Sequence, residues 1–268
     1  MSDNPLTLSL DAILAVTRTR VQALKRRAGD LERQAAAAPP VRPFQEPTDT
    51  VGLIAEVKRR SPSQGDIRPD LDPVQHARAY VRGGAVAVSV LTDETHFGGS
   101  IEDLERVAAA VPVPVLRKDF ILDELQIMEA RAAGASAVLL IVRALAPDRL
   151  QALARAAAAC HLPTLIEVHS AAELEPALAA APGAIGVNAR DLTTFAVDLR
   201  AAEAVIRDVP GNIAVVAESG INSRADVERV AAAGADFVLV GTSVARQKDP
   251  EQAVRALVGV KRHAGVRS

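Results

Sequence analysis

The chain has 268 residues, a formal net charge of −2 and 49% apolar residues, yet it has no Trp and only 2% aromatics. A sizeable core is assured, but nothing here suits nucleic acid: no basic block could track a phosphate backbone, and too few rings exist to stack bases. The single cysteine, Cys160, excludes a disulfide framework or thiolate metal cluster, and His76, His96, His161, His169 and His263 lack metal-ligand spacing. No apolar stretch reaches membrane-spanning length, and Asp3 and Asp11 near the N-terminus do not suit a signal peptide. A cytoplasmic protein is expected.

In chain order, residues 6–38 read as one helix with Leu10, Ile13, Leu14, Thr17, Val21 and Leu24 on a shared apolar face. Pro39, Pro40 and Pro43 stop it. Strand signals follow at 51–57, 85–91, 113–116, 137–142, 164–168, 184–187, 213–217 and 237–240. Helix-compatible segments lie between them, at 72–82, 100–110, 123–133, 147–159, 171–180, 199–207 and 224–233. Three helical runs end on Gly84, Gly134 or Gly234 just before a strand, as a tight αβ turn requires. Eight alternating units predict an α/β protein folded as a closed (β/α)8 TIM barrel, with a doubly wound open sheet as the alternative. The expected organisation is a single barrel domain, with an N-terminal helical extension over 1–47 covering part of the barrel over 48–268.

A buried parallel strand should be apolar throughout, but here the strand signals end on charged or polar residues. Glu56, Lys58, Lys118, Glu167, Arg190 and Glu218 would all face one mouth of a barrel, the end where barrel active sites lie. After the last two strands, Ser219 with Gly220 and Gly241 with Thr242 and Ser243 form turns suited to phosphate, because glycine admits close approach and backbone N–H groups point at the anion. The basic loop 58–65 could close over such a site. No nucleotide, flavin or metal motif occurs, so the expected catalysis uses no cofactor.

With these residues placed, the chain resembles the indole-3-glycerol phosphate synthase family over essentially its full length. The likeness rests on Glu56-Val57-Lys58-Arg59 with Ser61-Pro62-Ser63, Phe97-Gly98-Gly99-Ser100, Arg117-Lys118-Asp119-Phe120 and Glu167-Val168-His169. It continues through Asn188 with Arg190-Asp191-Leu192, Glu218-Ser219-Gly220-Ile221 and Gly241-Thr242-Ser243. The resemblance implies ring closure of 1-(2-carboxyphenylamino)-1-deoxyribulose 5-phosphate to indole-3-glycerol phosphate with loss of carbon dioxide and water, a step of tryptophan biosynthesis. It also implies Lys118 as the acid for ring closure, Lys58 as a substrate contact and acid for dehydration, and Glu56 or Glu167 as the base. Asn188, Arg190 and Glu218 match positions that orient the substrate. Ser61, Ser219, Gly220, Gly241 and Thr242 match substrate-binding positions, the last four for phosphate, and Phe97 and Phe120 match positions against the anthranilate ring. Arg60, Gln64 and Ala189 depart from the family pattern without touching a proposed acid, base or phosphate ligand.

Two other readings compete. A phosphoribosylanthranilate isomerase would use a cysteine and an aspartate as its acid–base pair, whereas Cys160 falls in a helix and the first strand ends in Glu-x-Lys. A non-catalytic metabolite sensor should have lost Lys118, Glu167 or Glu56, and none is lost. A small phosphorylated substrate is the expected partner, with no nucleic acid or membrane, and the chain is expected to be a monomer.

Overall fold

The structure, a computed structural model, describes residues 9–44, 46–191 and 194–267. Eight parallel strands form its centre: β1 Gly52–Val57, β2 Ala87–Leu91, β3 Val115–Lys118, β4 Ala137–Ile141, β5 Thr164–Val168, β6 Ala184–Asn188, β7 Ala214–Glu218 and β8 Phe237–Val240. Each pairs with its neighbours in chain order, and β8 pairs with β1 from Gly52 opposite Phe237 to Ala55 opposite Val240. The barrel is therefore closed, and the open-sheet alternative is overturned.

Twelve helices surround it among the described residues: α1 Leu10–Lys25, α2 Ala28–Ala37, α3 Pro73–Gly83, α4 Glu94–Phe97, α5 Ile101–Ala110, α6 Glu124–Ala132, α7 Pro147–Ala159, α8 Leu174–Ala179, α9 Leu199–Asp208, α10 Arg224–Ala232, α11 Thr242–Ala245 and α12 Pro250–Arg255. Several start on side-chain caps, with Asp72, Ser100, Asp123, Asp198 and Ser223 accepting from first-turn N–H groups. Gly84, Gly134 and Gly234 take φ of 105°, 82° and 106°, the left-handed geometry that turns each helix into the next strand.

The expected single helix over 6–38 is two helices. Arg26 caps α1 and Arg27, at φ −115° and ψ 12°, breaks the run. Three consecutive cations at 25–27, followed by the poor helix former Gly29, make continuation costly. The break lets α2 bury Leu31 and Ala35, each such leucine worth about 2 kcal/mol when removed from water. Leu6, inside the expected helix, lies outside the described residues.

Strand ends also differ. The third strand runs 115–118 rather than 113–116, because Pro114 has no N–H to enter the ladder. The sixth and seventh extend one residue further than expected and so include Asn188 and Glu218. The core has two layers, one between strands and helices and one inside the barrel. The inner layer holds Ile54, Leu116, Leu139, Leu165, Val216 and Leu239, and Ile13 and Leu14 of α1 pack onto its upper end with Phe120.

Candidate active site

Successive side chains on a strand point to opposite faces, so a residue two positions past an interior leucine also points inward. Ile54 is followed in this way by Glu56, Leu116 by Lys118, Leu165 by Glu167, Gly186 by Asn188 and Val216 by Glu218. The top layer of the barrel interior is thereby polar, and it opens into a cavity of about 390 Å³ at the C-terminal ends of the strands. Every residue the sequence singled out lines this cavity: Glu56, Lys58 and Ser61 from the first unit, Phe97 and the pair Lys118 and Phe120 from the second and third. Glu167, Asn188 and Arg190 come from the fifth and sixth, and Glu218, Ser219, Gly220, Gly241 and Thr242 from the last two. A larger hollow of about 740 Å³ at the opposite end is walled mainly by apolar side chains such as Ile54, Val216, Phe237 and Phe44.

Two lysines and three glutamates meet at the cavity floor. Lys118 Nζ stands 3.4 Å from Glu167 Oε2 and 3.2 Å from Glu218 Oε2, and Lys58 Nζ stands 2.6 Å from Glu56 Oε1. Small residues make the room. A Cβ on Gly186 would collide with the Glu218 carboxylate, and one on Gly241 would collide with Glu56 and come within 3.0 Å of Lys58 Nζ. Sequence reading gave Gly186 no role of its own, since its local signal is only a glycine inside a strand.

Burial lowers the proton affinity of Lys118, but Glu218, Glu167 and Glu56 outweigh it and hold the ammonium well above its ordinary value. Burial raises Glu56 and Glu167, yet the facing cations win and both are held below the usual carboxylate range. For Glu56 the pull comes from Lys58 and Lys118, and for Glu167 it comes first from Lys118, with the neighbouring His169 ring and Asn188 adding to it. Glu218 goes the other way: burial pushes it up to about 8 against the pull of Lys118, with Glu167 adding to the rise. The floor thus sets a charged acid, Lys118, against two carboxylates held ionised and a third, Glu218, whose ionisation burial resists.

The rim divides by chemistry. Phe97 and Phe120 face each other with centroids 6.4 Å apart and a 38° tilt, offering an apolar wall for a planar group. Across from them, Ser219 and Gly220 take φ of 64° and 79°, and Ser243 Oγ donates to Ile221 O at 2.9 Å, joining the turns after β7 and β8. Arg190 is half-buried; its Nη1 donates to Phe195 O at 2.9 Å, and its N–H donates to Asn188 Oδ1 at 3.0 Å. Leu192, part of that motif, lies outside the described residues. Loop 58–65 is pinned rather than merely solvated. Arg60 and Ser61 pair antiparallel with Asp66 and Gly65, and Gln64 Oε1 accepts from Arg246 Nη2 at 2.9 Å.

A second set of side chains, given no role from sequence, holds the first in place. Asp119, buried beside Lys118, accepts from Thr92 Oγ1 at 2.7 Å, Arg117 Nη2 at 3.1 Å, its neighbour Phe120 N–H at 2.8 Å and Arg20 Nη2 at 2.8 Å. Arg117 is itself buried and donates to Thr92 Oγ1 at 3.1 Å and Gln126 O at 2.6 Å. This cluster clamps the turn that carries both Lys118 and Phe120.

A closed (β/α)8 barrel, with paired acids and bases on its floor and two glycine turns after its last strands, defines an enzyme that works on a small anionic metabolite at the C-terminal face. The profile of the family described as indole-3-glycerol phosphate synthase matches residues 10–257. Indole-3-glycerol phosphate synthase 2 of Streptomyces coelicolor is 50% identical over 232 residues, covering 85% of this chain and 90% of that protein. The indole-3-glycerol phosphate synthase of Mycobacterium ulcerans is 43% identical over 266 residues, 97% of each chain. Among solved structures, thiamine phosphate pyrophosphorylase from Pyrococcus furiosus superposes with a TM-score of 0.58 at 19% identity over 77% of this chain and 93% of that one, a likeness of fold alone. The chain belongs to the indole-3-glycerol phosphate synthase family.

Proposed function

We propose that the chain converts 1-(2-carboxyphenylamino)-1-deoxyribulose 5-phosphate to indole-3-glycerol phosphate. The observation that carries this reading is the buried Lys118 ammonium, held protonated between Glu167 and Glu218 at the foot of the cavity. Lys118 gives its proton to the ketone oxygen as the ring carbon bearing the carboxylate attacks the ketone carbon. Carbon dioxide then leaves with its bonding electrons returned to the ring, restoring aromaticity. In the last step the new hydroxyl departs as water with a proton from Lys58, while a base takes a proton from the methylene carbon beside the nitrogen.

Glu167 is the better placed base. Glu56 is tied to Lys58 at 2.6 Å, whereas Glu167 keeps its charge with Lys118 at a looser 3.4 Å. Phe97 and Phe120 wall the anthranilate ring, and the turns at Ser219, Gly220, Gly241 and Thr242 take the phosphate. Arg190 and Asn188 orient the substrate's polar groups, and Ser61 lines the loop that covers it. Glu218, 3.2 Å from Lys118 Nζ, holds the acid in place and helps orient the substrate above it. No helix among the described residues is long and apolar enough to cross a membrane; the reading places the reaction in the cytoplasm with a monomer as its working unit.

The test adds the deoxyribulose phosphate to purified protein and follows indole fluorescence, with Lys118→Ala in parallel. Product formed by the wild type and abolished in the variant supports the reading. Binding without turnover by the wild type overturns it in favour of a sensor.

A further inference from the structure

His169 lies two residues beyond Glu167, on the turn leaving β5, with its side chain 2% exposed. Its ring sits between two carboxylates: Nε2 is 3.4 Å from Glu167 Oε1, and Nδ1 is 3.6 Å from Glu173 Oε2. Neither ring nitrogen makes a hydrogen bond among the described residues, so both approaches are charge contacts only. A neutral imidazole carries one N–H and could serve only one of these carboxylates; the cation carries two and serves both.

Glu173 is fixed from outside. It accepts from the His169 N–H at 2.8 Å and from Arg143 Nε at 2.6 Å, and Arg143 Nη1 reaches Asp191 Oδ2 at 3.0 Å. Burial would raise Glu173, but His169 and Arg143 push it down to about 2, so it is an anion at any pH where the protein works. The charged groups that meet the ring are therefore Glu167 and Glu173 directly, Lys118 behind the first and Arg143 behind the second, with Asp191 beyond.

We propose that His169 is a positioning residue of the reaction: as the doubly protonated ring between Glu167 and Glu173, it balances the Glu167 charge and keeps that carboxylate turned toward Lys118. The inference rests on Glu167 being the base. It makes the Glu173–Arg143–Asp191 chain an outer anchor for a group on the cavity floor. It also gives the Glu167-x-His169 spacing a purpose: two residues on, the chain has left the strand and can bring a side chain back beside the carboxylate.

The test has two parts. Nitrogen NMR of the histidine rings, with His169 assigned by its disappearance in His169→Asn, reads protonation without turnover; both ring nitrogens should carry protons at neutral pH. Steady-state kinetics of His169→Asn and His169→Gln across pH then read the consequence. The expected result is kcat about tenfold lower with KM within about twofold, and an acidic limb of kcat/KM moved up by about one pH unit, since an uncompensated Glu167 takes up a proton earlier. Glu173→Gln should move the same limb in the same direction by less, and it serves if the His169 variants fail to fold. A neutral His169 ring in the wild type, or folded variants that keep the wild-type acidic limb, would overturn the proposal. A wild type that does not turn over substrate would instead sink the reaction assignment while the NMR result stands by itself.

Discussion

Arg20, on the first helix of the extension, grips Asp119 through two parallel hydrogen bonds, Nη2 to Oδ1 at 2.8 Å and Nη1 to Oδ2 at 3.2 Å. The fork matches a carboxylate bidentately, and the same guanidinium donates to Thr92 O at 3.1 Å. The helix ahead of the barrel is thus fastened to the turn that carries Lys118. Arg20→Ala leaves a buried carboxylate short of one partner and should cost about 2 kcal/mol in urea unfolding, together with a fall in kcat. Arg20→Lys, a point charge without the fork, should recover only part of either loss.

Lys118→Ala removes the acid and leaves Glu167 and Glu218 without their shared cation. A positioned acid supplies about 10²–10⁴ in rate, so single-turnover indole formation should fall by at least that factor. Binding of the substrate, followed by calorimetry, should survive. Near-normal turnover would remove Lys118 from its role.

Glu218 ties stability to pH with a definite sign. Its folded value of about 8 lies above the unfolded value near 4.5, so the folded state holds a proton that the unfolded state gives up. The stabilisation is complete below the unfolded value and is lost as pH rises toward 8. Glu218→Gln, which mimics the protonated form, should not show that loss. The difference in melting temperature between variant and wild type should therefore widen in the variant's favour from pH 5 to pH 8; a constant difference would show that Glu218 is ionised throughout.

Gly241→Ala tests the tight approach of the last turn to the first strand. The added methyl meets the Glu56 carboxylate and crowds Lys58 Nζ at 3.0 Å, so the ion pair must shift. A displacement of this kind near reacting groups costs about 10² in rate, and kcat/KM should drop accordingly while circular dichroism stays unchanged.

Much of this architecture could be read from the chain. The eight strands and the glycines that end three helices follow from apolar runs and turn chemistry, and the cluster at the mouth follows from polar residues at strand ends. Reading an apolar run as the whole strand stopped too early at Lys118, Asn188 and Glu218, because a strand continues into the polar layer of the barrel interior without changing its ladder. The break at Arg26 and Arg27 was hidden, since the apolar face continues across it to Leu31. Arg20 and Asp119 stand 99 positions apart, and no local pattern links two such residues. His169 was visible as a residue but not as a bridge, because Glu173, four positions on, is held beside it by Arg143 from the turn after β4.

The ion pair of Glu56 and Lys58 belongs to the first strand, and the glycine that leaves room for it follows the last, which closes the ring by pairing with the first. A growing polypeptide on the ribosome accordingly carries seven strands without a working centre. Activity should arrive late and all at once, when the eighth strand emerges and docks, and fragments ending before Phe237 should be inert even where they are soluble.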